Sequence, residues 1–213
     1  VHDQYVFNRF YKDIHEEKEP FFAAMFPLSR NEPYDVPMKP RFPGKDETTL
    51  FKNSVYYTDS IIGHFINTLK EDTLWKNTLI VFVADHGHPL PGHDPNDRPS
   101  KFHIPLIFSG GALTMKGRIN TIGSQTDIVT TILDQLNLPT NNFKWGKDLL
   151  DSSAKPFAFY SFNNGFGFVT PQGTETMDND SKKPIYKDAG FDTSNMKYGK
   201  AYMQFSYQDY LNR

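Results

Sequence analysis

The chain is predicted to fold as an α/β sheet domain carrying a small antiparallel β appendage at its C-terminal end, and three stretches carry that prediction. Residues 45–72 space their apolar side chains as one face of a long helix. Residues 79–84 form an unbroken apolar run that ends abruptly in polar residues, the pattern of a strand covered on both faces. Residues 156–175 alternate aromatics with small residues around Asn163-Asn164-Gly165, a hairpin signal.

Taken in order, the first element is a helix in which Tyr5, Phe10 and Ile14 recur at helical spacing with no capping residue ahead of them, as expected of a fragment. Residues 21–27, "FFAAMFP", read as a short buried strand. The four prolines and a glycine of 31–44 read as a long surface loop. The long helix follows, with Leu50, Val55, Ile61, Ile62, Phe65, Ile66 and Leu69 on its apolar face. Residues 104–111, "IPLIFSGG", look like the sheet neighbour of 79–84. "QTDIVTTILDQLNLP" predicts a second helix, with Ser124 or Thr126 as N-cap and Pro139 beyond its end. Residues 1–150 are thus assigned to the α/β domain and 151–213 to an antiparallel β and loop subdomain.

Composition narrows the function. With 213 residues and 38% hydrophobic side chains, the chain can bury one sizeable core. Its 23 basic against 25 acidic residues exert no long-range pull on polyanions, which argues against nucleic acid as a partner. There is no cysteine, so thiolate chemistry is excluded and any metal must be held by His, carboxylate, hydroxyl or amide groups.

Chemistry concentrates where the 79–84 run stops. Asp85-His86-Gly87-His88 follows it, and four of the seven histidines lie between 86 and 103. Ligands of open α/β sheets bind at the carboxyl ends of strands, and Gly87 permits the bend that would turn Asp85 and His86 into one site. One hard oxygen and one borderline nitrogen donor suit Zn²⁺ or Mn²⁺ better than Ca²⁺ or Mg²⁺. The plainer alternative is that Asp85 caps a turn and His86 packs against it. Loop His and Lys side chains such as His88, His93, Lys101 and His103 are commonly just solvated, but their crowding between two core strands favours a site.

Together, "TLIVFVADHGH", "KFHIPLIFSGG", the preceding "NSVYYTDSIIGHFINTLKE" and "PFFAAMFPLSRNEPY", and the later "SQTDIVTTILDQLNLP", "FKWGKDLL" and "FAFYSFNNGFGFVTPQG" resemble the C-terminal portion of sulfatase-family enzymes in the alkaline phosphatase superfamily. The branch they are most similar to is the lipoteichoic-acid-synthase-like phosphoglycerol transferases. The resemblance implies an alkaline-phosphatase-like mixed sheet flanked by helices, here as an incomplete domain. It implies a divalent metal held by Asp85 and His86 together with an acidic residue and a Thr or Ser nucleophile that lie in the N-terminal half of the family's domain, so no catalytic nucleophile is assigned in this chain. His103 and Lys101 match pocket-lining positions, and His88 and His93 are grouped with them as substrate-side candidates.

Relatives of the transferase branch often read Ser-x-His-Glu-Pro where this chain has Ser29-Arg30-Asn31-Glu32-Pro33, so Asn31 stands at a substrate-contacting His. Asn donates a hydrogen bond but carries no charge; Arg30 is either the replacement cation or a solvated loop residue. Expected partners are a phosphate- or sulfate-ester substrate, lipid- or glycan-linked in one version, and the N-terminal half of the same protein. The expected location is the periplasmic or extracellular side of a bacterial membrane, with upstream membrane helices as a tether. Two alternatives stand: another phosphodiesterase or phosphonate hydrolase of the superfamily, or a non-catalytic metal- or glycan-binding domain using the aromatics at 157–168 as a stacking surface.

Overall fold

The computed structural model describes residues Val1–Arg213, and the chain divides into two compact units, Val1–His93 with Pro105–Met115, and Asp94–Ile104 with Lys116–Arg213. The α/β class is confirmed: helices accompany a two-stranded sheet in the first unit and a four-stranded sheet in the second.

In the first unit, α1 (Asp3–Glu16) packs on α2 (Glu47–Lys70). Phe7 and Ile14 from α1 meet Phe65 and Leu69 from α2, and Phe21, Met25, Trp75 and Ile80 close around them. The buried stripe of α1 is therefore Asp3, Phe7 and Ile14, while Tyr5 points outward. Asp46 caps α2 by accepting hydrogen bonds from the Thr49 N–H and hydroxyl. The apolar face expected along α2 holds only in its C-terminal half. Leu50 and Val55 are exposed, and the N-terminal half buries Asn53, Ser54, Tyr57 and Thr58 instead. The reason is backbone demand: Asn53 accepts from the N–H groups of Arg41 and Phe42 and donates to the Phe42 carbonyl, anchoring the proline-rich loop.

Two strand expectations are corrected. Residues 21–27 form no strand and have no ladder partner, with Phe21 and Met25 packed inward and Phe22 and Phe26 exposed. β1 (Ile80–Val83) pairs antiparallel with β2 (Leu106–Ser109), as the neighbour reading anticipates, in the register Ile80↔Ser109 to Val83↔Leu106. Neither strand is covered on both faces: Ile80 joins the core, but Val83 on the opposite face and Ile107, paired with Phe82 on the face of Ile80, are exposed. Gly110 follows β2 with φ of +110°, and a Cβ there would lie 2.1 Å from the Thr78 carbonyl oxygen, so only glycine fits.

The second unit is a meander, β3 (Ala158–Phe162), β4 (Gly165–Thr170), β5 (Gly173–Asp178) and β6 (Pro184–Lys187), in that spatial order. The hairpin turns at Asn163-Asn164, with Asn164 at φ of +63°. One face of the sheet is covered by α4 (Met196–Leu211), around Phe166, Phe168, Met177, Phe191 and Met196, with Phe157 and Phe159 packed alongside. The reading of 151–213 as strand and loop alone missed α4, whose amphipathic pattern is blurred by outward Tyr198, Phe205, Tyr207 and Tyr210. α3 (Thr126–Gln135) belongs to this unit. Its cap position is Gln125, whose side chain does not cap the helix; Asp127 inside the first turn reaches back to accept from Ser124 N–H instead of being capped by it.

Candidate functional site

β1 ends at Val83, and the chain emerges with Asp85 and His86 side by side. The Asp85 Oδ2 to His86 Nε2 distance is 3.6 Å. Two ligands at about 2.05 Å from one tetrahedral cation stand about 3.4 Å apart, so the pair has a suitable bite. The His86 Nδ1 lies 2.9 Å from the Gly87 carbonyl, which can only accept, so Nδ1 carries a hydrogen, and it is Nε2 that lies near Asp85. An oxygen and a nitrogen atom at this separation can both reach one cation. No group of three or more His, Asp or Glu side chains is placed so that it could hold a metal ion.

Asp85 has a second partner. The Arg30 Nη2 donates to its Oδ1 at 3.1 Å, and this bond, ahead of the nearby His86, holds the carboxyl below the ordinary carboxylate range. Arg30 and Asn31 belong to a loop whose shape is set from beneath. Asp3, wholly buried, accepts from the N–H groups of Leu28 and Ser29 and from the Thr58 hydroxyl, and its own N–H donates to the Ser29 hydroxyl. Burial is the largest single influence on that carboxyl and pushes it up, but the three donated bonds together outweigh it and hold it low. Turns from Leu28 to Asn31 and from Asn31 to Tyr34 complete the loop, leaving Asn31 exposed.

His88 and His93 diverge from the pair. The half-buried His88 ring stacks on Phe51 at 4.3 Å and 6°, meets Tyr34 edge-on, and accepts the Leu90 N–H at Nδ1. It is occupied as a packing element. His93 is exposed at φ of +58°, its N–H bonded to the Pro89 carbonyl.

In the second unit, Lys101 and His103 ride on a docked loop. Residues 99–102 form a single 3₁₀ turn with His103 at its end, and the strand expected from residue 104 begins only at Leu106. Lys101 donates to Asn96 at 2.5 Å, and His103 is exposed. The loop is fastened to the four-stranded sheet: the Asp97 carbonyl accepts from Thr176 at 2.8 Å and Tyr160 at 3.4 Å, and Phe102 stacks on Tyr160 at 4.2 Å and 14°. Burial pushes the Tyr160 hydroxyl up to about 12. Tyr160, Phe162 and the four other phenylalanines of 157–168 are thus committed to packing, so these aromatics do not form the stacking surface that a glycan-binding reading assigned to them.

Sequence reading missed Asp3, Ser29 and Thr58 in the first unit and Thr176 in the second. A buried aspartate at the start of a helix has the same local pattern as an exposed one; only the segment bonded to it distinguishes them.

The chain is 26% identical over 180 residues to a lipoteichoic acid synthase-like protein of Bacillus subtilis, covering 75% of this chain and 29% of that one. A crystal structure of an alkaline phosphatase superfamily protein from Vibrio parahaemolyticus superposes over the whole chain with a TM-score of 0.79 at 24% identity, covering 55% of that chain. The lipoteichoic acid synthase LtaP from Listeria monocytogenes does so with a TM-score of 0.76 at 20% identity, covering 60% of it. This chain therefore has the alkaline phosphatase superfamily fold and spans a portion of those domains. The sulfatase family profile matches residues 1–138, well over half of the chain, and the chain belongs to the sulfatase family.

Proposed function

We propose that the intact protein is a metal-dependent enzyme that transfers or hydrolyses phosphoglycerol or sulfate-ester groups, with one divalent ion, Mn²⁺ or Zn²⁺, held in part by Asp85 and His86. The supporting observation is the Asp85–His86 pair itself, with 3.6 Å between Oδ2 and Nε2 and a hydrogen on Nδ1. When bound, such an ion supplies Lewis acidity for the nucleophile and for the oxygens of the transferred group. The nucleophile, a Thr or Ser, and an acidic ligand come from a segment preceding these residues. Its hydroxyl attacks phosphorus or sulfur, the leaving alcohol departs with a proton, and the resulting ester passes to water or an acceptor alcohol.

The chain's own residues position and neutralise. Asp85 and His86 hold the ion and Asn31 donates a hydrogen bond to a substrate oxygen, while the family resemblance assigns Lys101 and His103 of the second unit as substrate-side residues; His88 shapes the corner through Phe51, and His93 stands as a peripheral contact. A lipid-linked or glycan-linked acceptor fits the relatives' name, and with it a location on the outer face of a bacterial membrane. No helix in this chain is long and apolar enough to cross a membrane.

The test uses full-length protein with added Mn²⁺ or Zn²⁺ on an aryl sulfate and an aryl phosphodiester. Asp85→Asn and His86→Ala are expected to abolish metal-dependent turnover of whichever ester is accepted; turnover that survives both sinks the assignment. Asn31→His should shift the ratio between the two esters. Residues 1–213 alone should bind metal weakly and turn over neither.

A further inference from the structure

We propose that Arg30 is the oxyanion receptor of this site: its guanidinium binds a non-bridging oxygen of a singly charged phosphodiester or sulfate ester, supplying the cation that Asn31 lacks. The inference rests on the metal-site reading above and names the residue that selects the substrate's charge.

Position comes first. Arg30 Nη2 is 3.1 Å from Asp85 Oδ1, so a group bound to an ion held by Asp85 lies within a few ångströms of the guanidinium. That bond takes one of the five guanidinium N–H donors, and the planar fork matches two oxygens of a tetrahedral anion. Order comes second. A solvated loop arginine would be largely exposed and mobile, whereas the Arg30 side chain is 27% exposed and leaves a loop fixed to Asp3 directly beneath it. A receptor already in place loses little entropy on binding.

Charge comes third. Between Ser29 and Tyr34 the loop carries Arg30 as its one cation, beside uncharged Asn31 and acidic Glu32. In its ion pair with Arg30, Asp85 offsets much of the guanidinium charge. Once Asp85 also shares its charge with a divalent ion, the guanidinium is under-neutralised and attracts an anion. Metal and anion binding should therefore be cooperative. The competing role is that Arg30 merely holds Asp85 in position, and it predicts the opposite pattern: removing the arginine would harm metal binding and leave anion binding to the loaded site intact.

The experiment takes full-length protein and its Arg30→Gln and Arg30→Lys variants, checks folding by circular dichroism, and titrates Mn²⁺ and then inorganic sulfate or phosphate by calorimetry. In Arg30→Gln, Mn²⁺ affinity should be unchanged or tighter, because a neighbouring positive charge is gone, while sulfate and phosphate affinity of the loaded protein falls by about tenfold or more. Arg30→Lys should restore part of the anion affinity, since it keeps charge without the fork, and serves if Arg30→Gln does not fold. The KM for the accepted ester should rise more than kcat falls. Unchanged anion affinity overturns the proposal, and so does a loss of Mn²⁺ affinity that alone accounts for weaker anion binding. If wild-type protein binds no metal, the metal-site reading fails separately. In that case Arg30-dependent anion binding by the metal-free protein would still identify the receptor, and its absence would end it.

Discussion

Two aspartates lie buried in the first turn of a helix, one in each unit, and they solve the same electrostatic problem differently. Asp3 opens α1 and is satisfied by neutral donors only, two backbone N–H groups and the Thr58 hydroxyl. Asp127 opens α3 and is satisfied by the N–H groups of Ser124 and Lys147 and by the Lys147 ammonium at 2.6 Å, itself only 15% exposed. Both carboxylates gain from the positive end of a helix. The difference lies in what each leaves behind when removed. Loss of Asp3 orphans neutral donors and frees a loop at the candidate site; loss of Asp127 leaves the largely buried Lys147 ammonium with only the Phe157 carbonyl and ring as partners.

The largest effect follows from that cation. Asp127→Ala should cost about 3–5 kcal/mol in urea unfolding, and pairing it with Lys147→Met should recover most of that loss, since an apolar pair avoids desolvating charge. A double variant as unstable as the single one would refute the comparison. Asp3→Ala should cost about 3 kcal/mol because three buried donors lose their acceptor, and no single second change should rescue it. Its further signature is functional: the loop bearing Arg30 loosens, so anion affinity in the full-length protein should weaken with it.

A smaller effect tests the packing of the other loop. Gly167 faces Tyr160 across the β3–β4 ladder, and a Cβ there would lie 2.0 Å from the ring. Gly167→Ala should cost about 2 kcal/mol and expose Phe102, read as increased proteolysis near residue 102.

The smallest effect is a pH dependence at the far end of α1. His15 Nδ1 lies 2.6 Å from the Tyr11 carbonyl, and Nε2 lies 2.6 Å from Asp72, which also accepts from the Tyr11 hydroxyl. The carbonyl bond first and Asp72 second raise the His15 value. A raised value means the stabilisation is complete below the unfolded value of about 6.5 and is lost as pH rises through the folded one. The amplitude should stay below about 1 kcal/mol, because the side chain is a third exposed. His15→Gln should flatten this step. The Asp3 carboxyl, held low, acts with the opposite sign: its contribution is present above about pH 4 and is lost as pH falls through its native value.

Local pattern made much of the molecule legible. The 24-residue α2, the Asn163-Asn164 hairpin, the pairing of 80–83 with 106–109 and the Asp85–His86 corner all follow from spacing, because periodicity and turn chemistry are properties of neighbouring residues. The Ser-Gln-x-Asp-Ile piece was visible as a signature, but its aspartate is a structural clamp on Lys147, a partner 20 residues away. His88 illustrates the reverse: its place in a histidine cluster suggested substrate, and only the stacked Phe51 ring shows its packing role.

By itself, then, the sequence determined most of the element types, the family and the residues from which a site could be assembled. The tertiary structure decided which of them meet. That Arg30 reaches Asp85 across 55 positions, that Asp3 fixes the loop carrying Arg30, and that 21–27 does not become a strand are all matters of long-range partners. A hydrogen bond or a ladder exists only when both halves are in place, and the second half is written far away in the chain, where no local pattern points to it.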